Sequence, residues 1–191
     1  MRTGLPSVAV VFRARTPPLA DSPSDYARVY EVDVTDLNSL VAVPHDLSDV
    51  RNAGDVSGVR IDEAIVGTCT GGRLEDLRVV AAILDGRRIA GHTRMLVNPG
   101  SRAIYAQAIR EGLISTLIEA GATIGVTGCG PCSGCHQGML APAETAITTS
   151  SRNFRGRSGS PESMLYVASP ATVAASAVAG SIVPPADVMR R

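Results

Sequence analysis

The sequence predicts a single α/β domain with a mainly parallel sheet flanked by helices. Short apolar runs rich in Val and Ile alternate with segments of helical periodicity, the pattern of strands joined by helical crossovers. The chain has 191 residues, roughly the length of one domain, and 45% of them are hydrophobic. Only 3% are aromatic, so we expect a core of Val, Ile, Leu and Ala.

The N-terminal part of the chain combines turn composition with a first strand. Residues 1–24 are rich in Pro and Ser, which predicts an arm or tail, and we assign residues 25–191 to the domain. Apolar and acidic residues alternate over residues 30–34, which is the spacing of a strand. A polar connection over residues 44–59 then leads to a second predicted strand over residues 61–66.

Helices and strands alternate through the middle of the chain. Leu74–Leu84 carries apolar residues at helical spacing, and Gly86 ends the predicted helix. Ser101 is a predicted N-cap for a helix that Gly112 interrupts and that then continues to Gly121. Four further strands are predicted, over residues 94–97, 123–126, 145–149 and 165–168.

The last predicted helix needs to be distinguished from a membrane span. Residues 163–186 contain no charged side chain, and such a stretch is long enough to cross a bilayer. However, Ser169 is a predicted N-cap and Gly180 a C-terminal stop, which leaves a helix of about ten residues or ~15 Å. We therefore predict a buried helix over Pro170–Ala179 and no membrane partner.

Charge and cysteine content bear on partners and compartment. Lys plus Arg and Asp plus Glu number 18 each, and this balance lacks the basic excess typical of a nucleic-acid binder. We therefore expect no nucleic-acid partner. No secretory signal is evident in the first twenty residues, and four cysteines without an export signal predict a reducing, cytoplasmic compartment.

All four cysteines lie in predicted loops. Cys129, Cys132 and Cys135 follow one another at equal spacing in a loop rich in Gly and Pro, and Cys69 follows the predicted strand 61–66. Thiolates at this spacing can grip one metal ion or one edge of a cluster, while Gly and Pro let backbone N–H groups turn toward inorganic sulfide. Composition and spacing leave an iron–sulfur cluster, zinc, a redox dithiol and buried free cysteine all open.

The predicted strand ends bring the candidate residues together. Cys69, the Cys-rich loop and Arg152 each come just after a predicted strand. In parallel sheets, functional sites gather at the carboxyl ends of the strands. We therefore expect one shared site.

Four segments of the chain carry recognisable motifs, over residues 65–70, 128–134, 151–157 and 168–176. These segments resemble the motifs of the aconitase superfamily, and their details are closest to the isopropylmalate and homoaconitate dehydratase branch. Their order and approximate spacing also fit, so that nearly the whole chain resembles the cluster-binding third domain of the large subunit.

The resemblance implies a 4Fe-4S cluster held by Cys69, Cys129 and Cys132, with one iron left open as a Lewis acid toward the hydroxyl and carboxylate of the substrate. Arg152 and Arg157 match family positions that bind substrate carboxylates, a task that suits the two parallel hydrogen bonds of a guanidinium fork. No certain catalytic residue lies within this chain. The family's earlier large-subunit domains and its swivel domain have no counterpart in it.

Several positions depart from the family pattern. Ser151 stands where the family has an Asn near the cluster, Gly71 where an Asn follows Cys-Thr, and Thr127 where Pro is usual. Cys135 is an additional thiol, and His136 lies beside it. We regard Cys135, Ser151 and His136 as candidates for contact with the cluster's ligands. If residues 132–138 are helical, Cys135 could be a fourth ligand, but we expect it in the core or beside the ligands, because the family needs three.

The leading hypothesis is the cluster-bearing part of a split hydro-lyase. It would dehydrate and rehydrate a small hydroxy di- or tricarboxylic acid. Partner chains would supply the missing large-subunit domains and a small swivel subunit, so an isolated chain should expose an apolar face. One alternative is a non-catalytic, stand-alone iron–sulfur or zinc protein, favoured by Cys135. The other is a degenerate fragment that keeps only the fold, favoured by Ser151 and Gly71.

Overall fold

The structure is a computed structural model, and it describes Tyr30 and residues 34–189. One compact unit extends from Asn38 to Arg191, and every strand and helix given below belongs to it. The predicted arm over residues 1–24 lies outside the described residues, as does the predicted strand over residues 30–34 except for its two end residues.

Seven strands within the described residues form one mixed sheet. They are Leu40–Ala42 (β1), Val50–Asn52 (β2), Glu63–Gly67 (β3), Arg94–Asn98 (β4), Thr123–Ile124 (β5), Thr145–Thr148 (β6) and Met164–Ala168 (β7). Their spatial order is β2-β1-β7-β6-β3-β4-β5. Strands β3 to β7 pair in parallel, whereas β1 is antiparallel to both β2 and β7. The predicted fold class, an α/β domain with a mainly parallel sheet, is confirmed.

The α-helices of the described residues are Thr68–Gly71 (α1), Leu74–Leu84 (α2), Arg102–Arg110 (α3), Leu113–Ala120 (α4), Pro170–Ala179 (α5) and Pro185–Met189 (α6). Helices α2 to α5 begin and end close to the predicted positions, whereas the short α1 was not predicted. Ser101 caps α3 by accepting a hydrogen bond from the backbone N–H of Ile104, at 3.2 Å. Ser169 caps α5 in the same way, through the N–H of Thr172.

The hydrophobic core lies on one side of the sheet, which we call the helical face. Side chains alternate across a strand, so the helical face of β3 is formed by Ala64 and Val66. These two residues pack in one cluster with buried residues of α2, α4 and α5. Helix α5 is buried along most of its length, as predicted. Among the described helices, none is long and apolar enough to cross a membrane.

The opposite side of the sheet, which we call the loop face, is covered by irregular chain. Leu140 packs there against Ala146 and Leu165, and Gly138 lies beside Glu63. The direction of the chain explains this arrangement. The chain moves from β3 through β4 to β5 by way of helices, and then returns to β6 and β7. Because parallel crossovers are right-handed, the returning connections lie on the other face.

The reversal of direction creates a switch point between the carboxyl ends of β3 and β6. Connections from these two neighbouring strands leave toward opposite faces of the sheet, which opens a crevice at that edge. The segment that begins with Cys69 follows β3, and the segment that includes Arg152 follows β6. The fold therefore delivers two of the predicted site segments to the same crevice.

Some predicted boundaries were wrong. The predicted polar connection over residues 44–59 contains strand β2, all of whose residues are exposed and which therefore shows no apolar alternation. Strand β5 ends at Ile124, two residues before the predicted end, and helix α6 was not predicted. Short elements with little burial leave no periodicity to detect.

Candidate functional site

Cys69 is presented by a sharp turn at the end of β3. Thr68, which is buried, adopts a left-handed conformation with φ of 68°, which is uncommon for any residue other than Gly. The side chain of Thr149, just after β6, accepts a hydrogen bond from the N–H of Gly67 at 2.9 Å. This hydrogen bond joins the turn after β3 to the chain just after β6. Cys69 follows Thr68 and is exposed. Strained backbone of this kind is concentrated at functional sites.

The Cys-rich loop is held by a single 3₁₀ turn over Gly130–Ser133. The N–H of Cys132 donates to the carbonyl of Cys129 at 3.3 Å, which places these two residues at opposite ends of one turn. Gly134 follows with φ of 65°, and a side chain at this position would collide with the backbone of Arg157. The turn is therefore packed closely against the segment that follows β6.

The three predicted ligand thiols share one electrostatic environment. The pKa of the Cys129 thiol is raised above its ordinary value, first by loss of hydration and then by the neighbouring thiols of Cys132 and Cys69. Arg157 opposes this shift in pKa. Loss of hydration is the largest cause even though Cys129 is exposed as a residue, whereas Cys132 is only 9% exposed. The segment Thr68–Gly71, which contains Cys69, contacts the 3₁₀ turn Gly130–Ser133, which contains Cys132.

The two arginines of the segment after β6 have different surroundings. Arg157 is half-buried, and its Nη2 donates a hydrogen bond to Sγ of Cys132 at 3.4 Å. Its guanidinium carbon lies 5.5 Å from the centre of the Phe154 ring. Arg152 is exposed, and its side chain makes no hydrogen bond or ion pair within the part of the chain that the structure describes.

Cys135 does not lie in the core, and its expected place beside the cluster's ligands stays a prediction. The residue is exposed, and its Sγ donates to the carbonyl of Ser133 at 3.2 Å. The physical reason is Gly134, whose left-handed conformation ends the turn, so that residues 132–138 do not form a helix. His136 and Ser151 are exposed as well.

Asn98 is a site residue that the sequence analysis missed. It is the last residue of β4 and is fully buried, and its Nδ2 donates to the carbonyl of Val126 at 2.9 Å. A side chain on Gly125 or Gly130 would strike its amide, so Asn98 lies directly beneath the Cys-rich loop. The sequence did offer a signal for Asn98, because it is a polar residue directly after a predicted parallel strand, where functional sites gather.

Four buried side-chain atoms of the described residues have no hydrogen-bond partner. They are two acceptors, Oε1 of Glu63 and Oδ1 of Asn98, and two donors, Nε2 of Gln137 and Nε of Arg157. Buried donors are normally paired, so the unpaired Nε of Arg157 beside the Cys132 thiol indicates an acceptor that binds there. Sulfide and thiolate sulfurs accept such hydrogen bonds in iron–sulfur proteins. The donor set and the cysteines therefore fit a sulfur-rich anionic group.

A single metal ion and a cluster need different thiol spacings. Tetrahedral zinc requires its thiolates to be roughly 4 Å apart, given a Zn–S bond of ~2.3 Å. A cluster binds each thiolate at a different iron and so accepts wider spacing. Within the described residues, no three His, Cys, Asp or Glu side chains are arranged so that they could hold one ion.

A cavity of about 420 Å³ lies in another part of the domain. Neither the cysteines nor Arg152 and Arg157 line it, and its charged side chains are the carboxylates of Asp55 and Asp187. Such a lining would repel a carboxylate substrate. Its lining residues are Asn38, Ser39, Asn52, Gly54, Asp55, Pro184, Ala186 and Asp187.

Fold and site together define an α/β domain that presents cysteines and arginines at the switch point of a parallel sheet. The model of the aconitase family (aconitate hydratase) matches residues 45–180. The chain therefore belongs to the aconitase family, and the resemblance noted from its motifs is confirmed.

Curated relatives agree with the predicted branch. The chain is 48% identical over 168 residues to the homoaconitase large subunit of Thermus thermophilus, covering 88% of this chain and 40% of that protein. It is 46% identical over 177 residues to the 3-isopropylmalate dehydratase large subunit of Halothermothrix orenii, covering 93% and 42%. A probable 3-isopropylmalate dehydratase large subunit of Methanothermobacter thermautotrophicus is 49% identical over 168 residues, covering 88% and 40%. The chain spans about two fifths of the length of these relatives.

Proposed function

We propose that this chain is the cluster-bearing part of a 4Fe-4S hydro-lyase that dehydrates and rehydrates a small hydroxy di- or tricarboxylic acid. The observation that carries the proposal is the contact between the segment that contains Cys69 and the 3₁₀ turn that contains Cys132, at the switch point of an aconitase-family domain. The similar proteins are named as dehydratase and homoaconitase large subunits. A cytoplasmic location follows from the same proposal, because reduced thiols are needed to bind the cluster.

Cys69, Cys129 and Cys132 would hold the cluster. When bound, the cluster supplies an open iron that acts as a Lewis acid toward a substrate hydroxyl and carboxylate. The chain's own contribution is to fix the three thiols through the turn at Thr68, the 3₁₀ turn and the buried amide of Asn98. A rigid arrangement of this kind keeps the ligands in place without a partner chain.

Arg152 is the residue of this chain best placed to bind a substrate carboxylate. Its guanidinium is exposed, and among the described residues nothing competes for its donors. A planar guanidinium meets a carboxylate with two parallel hydrogen bonds, which a Lys ammonium cannot reproduce. Arg157 is the second proposed carboxylate ligand, through Nη1, because its Nη2 already donates to Cys132.

Partner chains would complete the enzyme. The chain spans about two fifths of its relatives' length, so the remaining large-subunit domains and the small swivel subunit would come from elsewhere. Large apolar side chains near the site support such a partner, since Val126 is 70%, Met139 55% and Phe154 53% exposed. Docking of the missing domains there would remove these side chains from water.

The proposal is tested with an assembled enzyme. Tagged chain purified anaerobically from its own cells should retain a second chain with dehydratase-type sequence, and the assembly should hydrate an unsaturated di- or tricarboxylic acid. Arg152→Lys should raise the KM of that assembly. Lysine keeps the positive charge but cannot form the two parallel hydrogen bonds of a guanidinium to a carboxylate. Turnover and KM unchanged in Arg152→Lys would count against the substrate role, and a chain recovered without any partner would count against the assembly.

An open iron gives a second readout. Because Cys135 is exposed and its Sγ donates to the carbonyl of Ser133, we expect it not to ligate the cluster. Gentle oxidation should then convert the cluster of both the reconstituted wild type and Cys135→Ser to a three-iron centre. Electron paramagnetic resonance detects this conversion. If the wild type resists and only Cys135→Ser loses iron, Cys135 is a fourth ligand and the dehydratase function is contradicted.

A further inference from the structure

Arg157 differs from two other arginines of this chain in the hydrogen bonds that its guanidinium atoms Nε and Nη2 donate. In Arg78, both Nε and Nη2 donate to the carboxylate of Glu111, at 2.7 Å each. In Arg94, both atoms donate to Oε2 of Glu63, at 3.3 and 2.9 Å. In Arg157, Nη2 donates to Sγ of Cys132, while Nε is buried without a partner.

The unpaired Nε constrains what can bind beside Cys132. A guanidinium is always charged, and a buried donor without an acceptor costs the free energy of its lost hydration. Nε and Nη2 lie on the same edge of the guanidinium, so their acceptors must be neighbours. The missing acceptor therefore lies next to Sγ of Cys132 and is negative or strongly polar. In an iron–sulfur cluster, inorganic sulfide bound to the same iron occupies that kind of position relative to a cysteine sulfur.

The surroundings of Arg157 hold its guanidinium in a fixed orientation. The Phe154 ring lies 5.5 Å from the guanidinium carbon and limits its rotation. The backbone of Arg157 is in close contact with Gly134, directly after the turn that carries Cys132. The donor and the cysteine thus belong to one packed unit, and the contact does not depend on a substrate.

We propose that Arg157 is a positioning residue for the cluster, in which Nη2 holds the Cys132 thiolate and Nε donates to an adjacent inorganic sulfide. This inference rests on the proposed function, because it requires the cluster. Hydrogen bonds to cluster sulfurs stabilise the more negative reduced state and so raise the reduction potential. They also orient the ligand and slow the loss of metal.

The test uses the full chain, reconstituted anaerobically with iron and sulfide and kept free of substrate. Arg157→Ala should lower the midpoint potential and speed the loss of iron to a chelator by roughly 10- to 100-fold. Arg157→Lys, which keeps the charge but not the fork, should lie between Arg157→Ala and the wild type. Phe154→Leu keeps the donor but removes the ring, so it should give a smaller shift in the same direction. Arg152→Ala is the matched control and should leave both values unchanged.

Three results would overturn the inference. One is a potential and an iron-loss rate in Arg157→Lys and Phe154→Leu equal to those of the wild type, which would leave Arg157 to the substrate. Another is an equal shift in Arg152→Ala, which would show a general charge effect. A wild-type chain that takes up no iron and sulfide would contradict the proposed function itself, and the iron and sulfide analysis shows this before any variant is compared.

Discussion

The two faces of the sheet differ in the groups that cover them. The helical face buries apolar side chains from α2, α4 and α5 in one cluster, and serine side chains cap the N-termini of α3 and α5. The loop face carries a 3₁₀ turn, a left-handed Thr68 just beyond the strand end and four buried polar atoms without partners, in Glu63, Asn98, Gln137 and Arg157. The comparison suggests that stability comes from the helical face, while the polar groups of the loop face remain available for a ligand.

Removal of a core side chain should have the largest effect on stability. Leu77 of α2 is fully buried in the main cluster, so Leu77→Ala should lower the free energy of unfolding by about 2–5 kcal/mol. Ile118→Ala on α4 is the matched control. That side chain is exposed, and the change should stay within about 0.5 kcal/mol. Urea denaturation of the cluster-free chain measures both, and equal effects would contradict the burial of Leu77 in the main cluster.

Asn98 tests the support of the loop face. Asn98→Ala removes the donor to the carbonyl of Val126, and should cost about 1–3 kcal/mol because that carbonyl loses its partner. The same change should weaken iron retention, since Asn98 lies beneath the turn that carries Cys132. The exposed Asn52, which bonds to Asp55, offers a control in Asn52→Ala. Iron retention equal in the two variants would show that Asn98 supports only the fold.

Glu63 gives the smallest expected effect, and it depends on pH. This carboxyl is 1% exposed, and burial raises its pKa above the ordinary value, while Arg94 opposes the rise. An acid whose pKa is higher in the folded state stabilises the fold below its unfolded pKa, and this contribution is lost as pH rises through the folded pKa. The unfolding free energy of the wild type, measured relative to that of Glu63→Gln, should therefore fall as pH rises above about 4.5.

Arg94 pairs with a second carboxylate besides Glu63, and that carboxylate provides the control for the pH dependence. Arg94 also donates to Glu144, whose pKa is lowered first by that hydrogen bond. The contribution of Glu144 is present above its unfolded pKa and lost as pH falls, which is the opposite sign. Urea denaturation of Glu144→Gln across the same pH range should thus show the reverse trend. The same trend in both variants would contradict the assignment of the raised pKa to Glu63.

The helical face was largely predictable from sequence, because apolar spacing records which residues are buried. Helices α2 and α5 have the predicted bounds for this reason. The nearness of Cys69 to the Cys-rich loop was also predictable, since both follow strands of a parallel sheet. In contrast, the exposure of Cys135 depends on the left-handed conformation of Gly134, and the burial of Asn98 depends on contacts distant in sequence. Neither leaves a periodic signal.

The central claim is that the loop face binds an iron–sulfur cluster through Cys69, Cys129 and Cys132. The most direct measurement is the iron and sulfide content per chain after anaerobic reconstitution of the wild type and of four single cysteine-to-serine variants. We predict about four iron and four sulfide for the wild type and for Cys135→Ser, and a large loss of both in Cys69→Ser, Cys129→Ser and Cys132→Ser. Zinc without sulfide in the wild type, or full retention in Cys69→Ser, would contradict the claim.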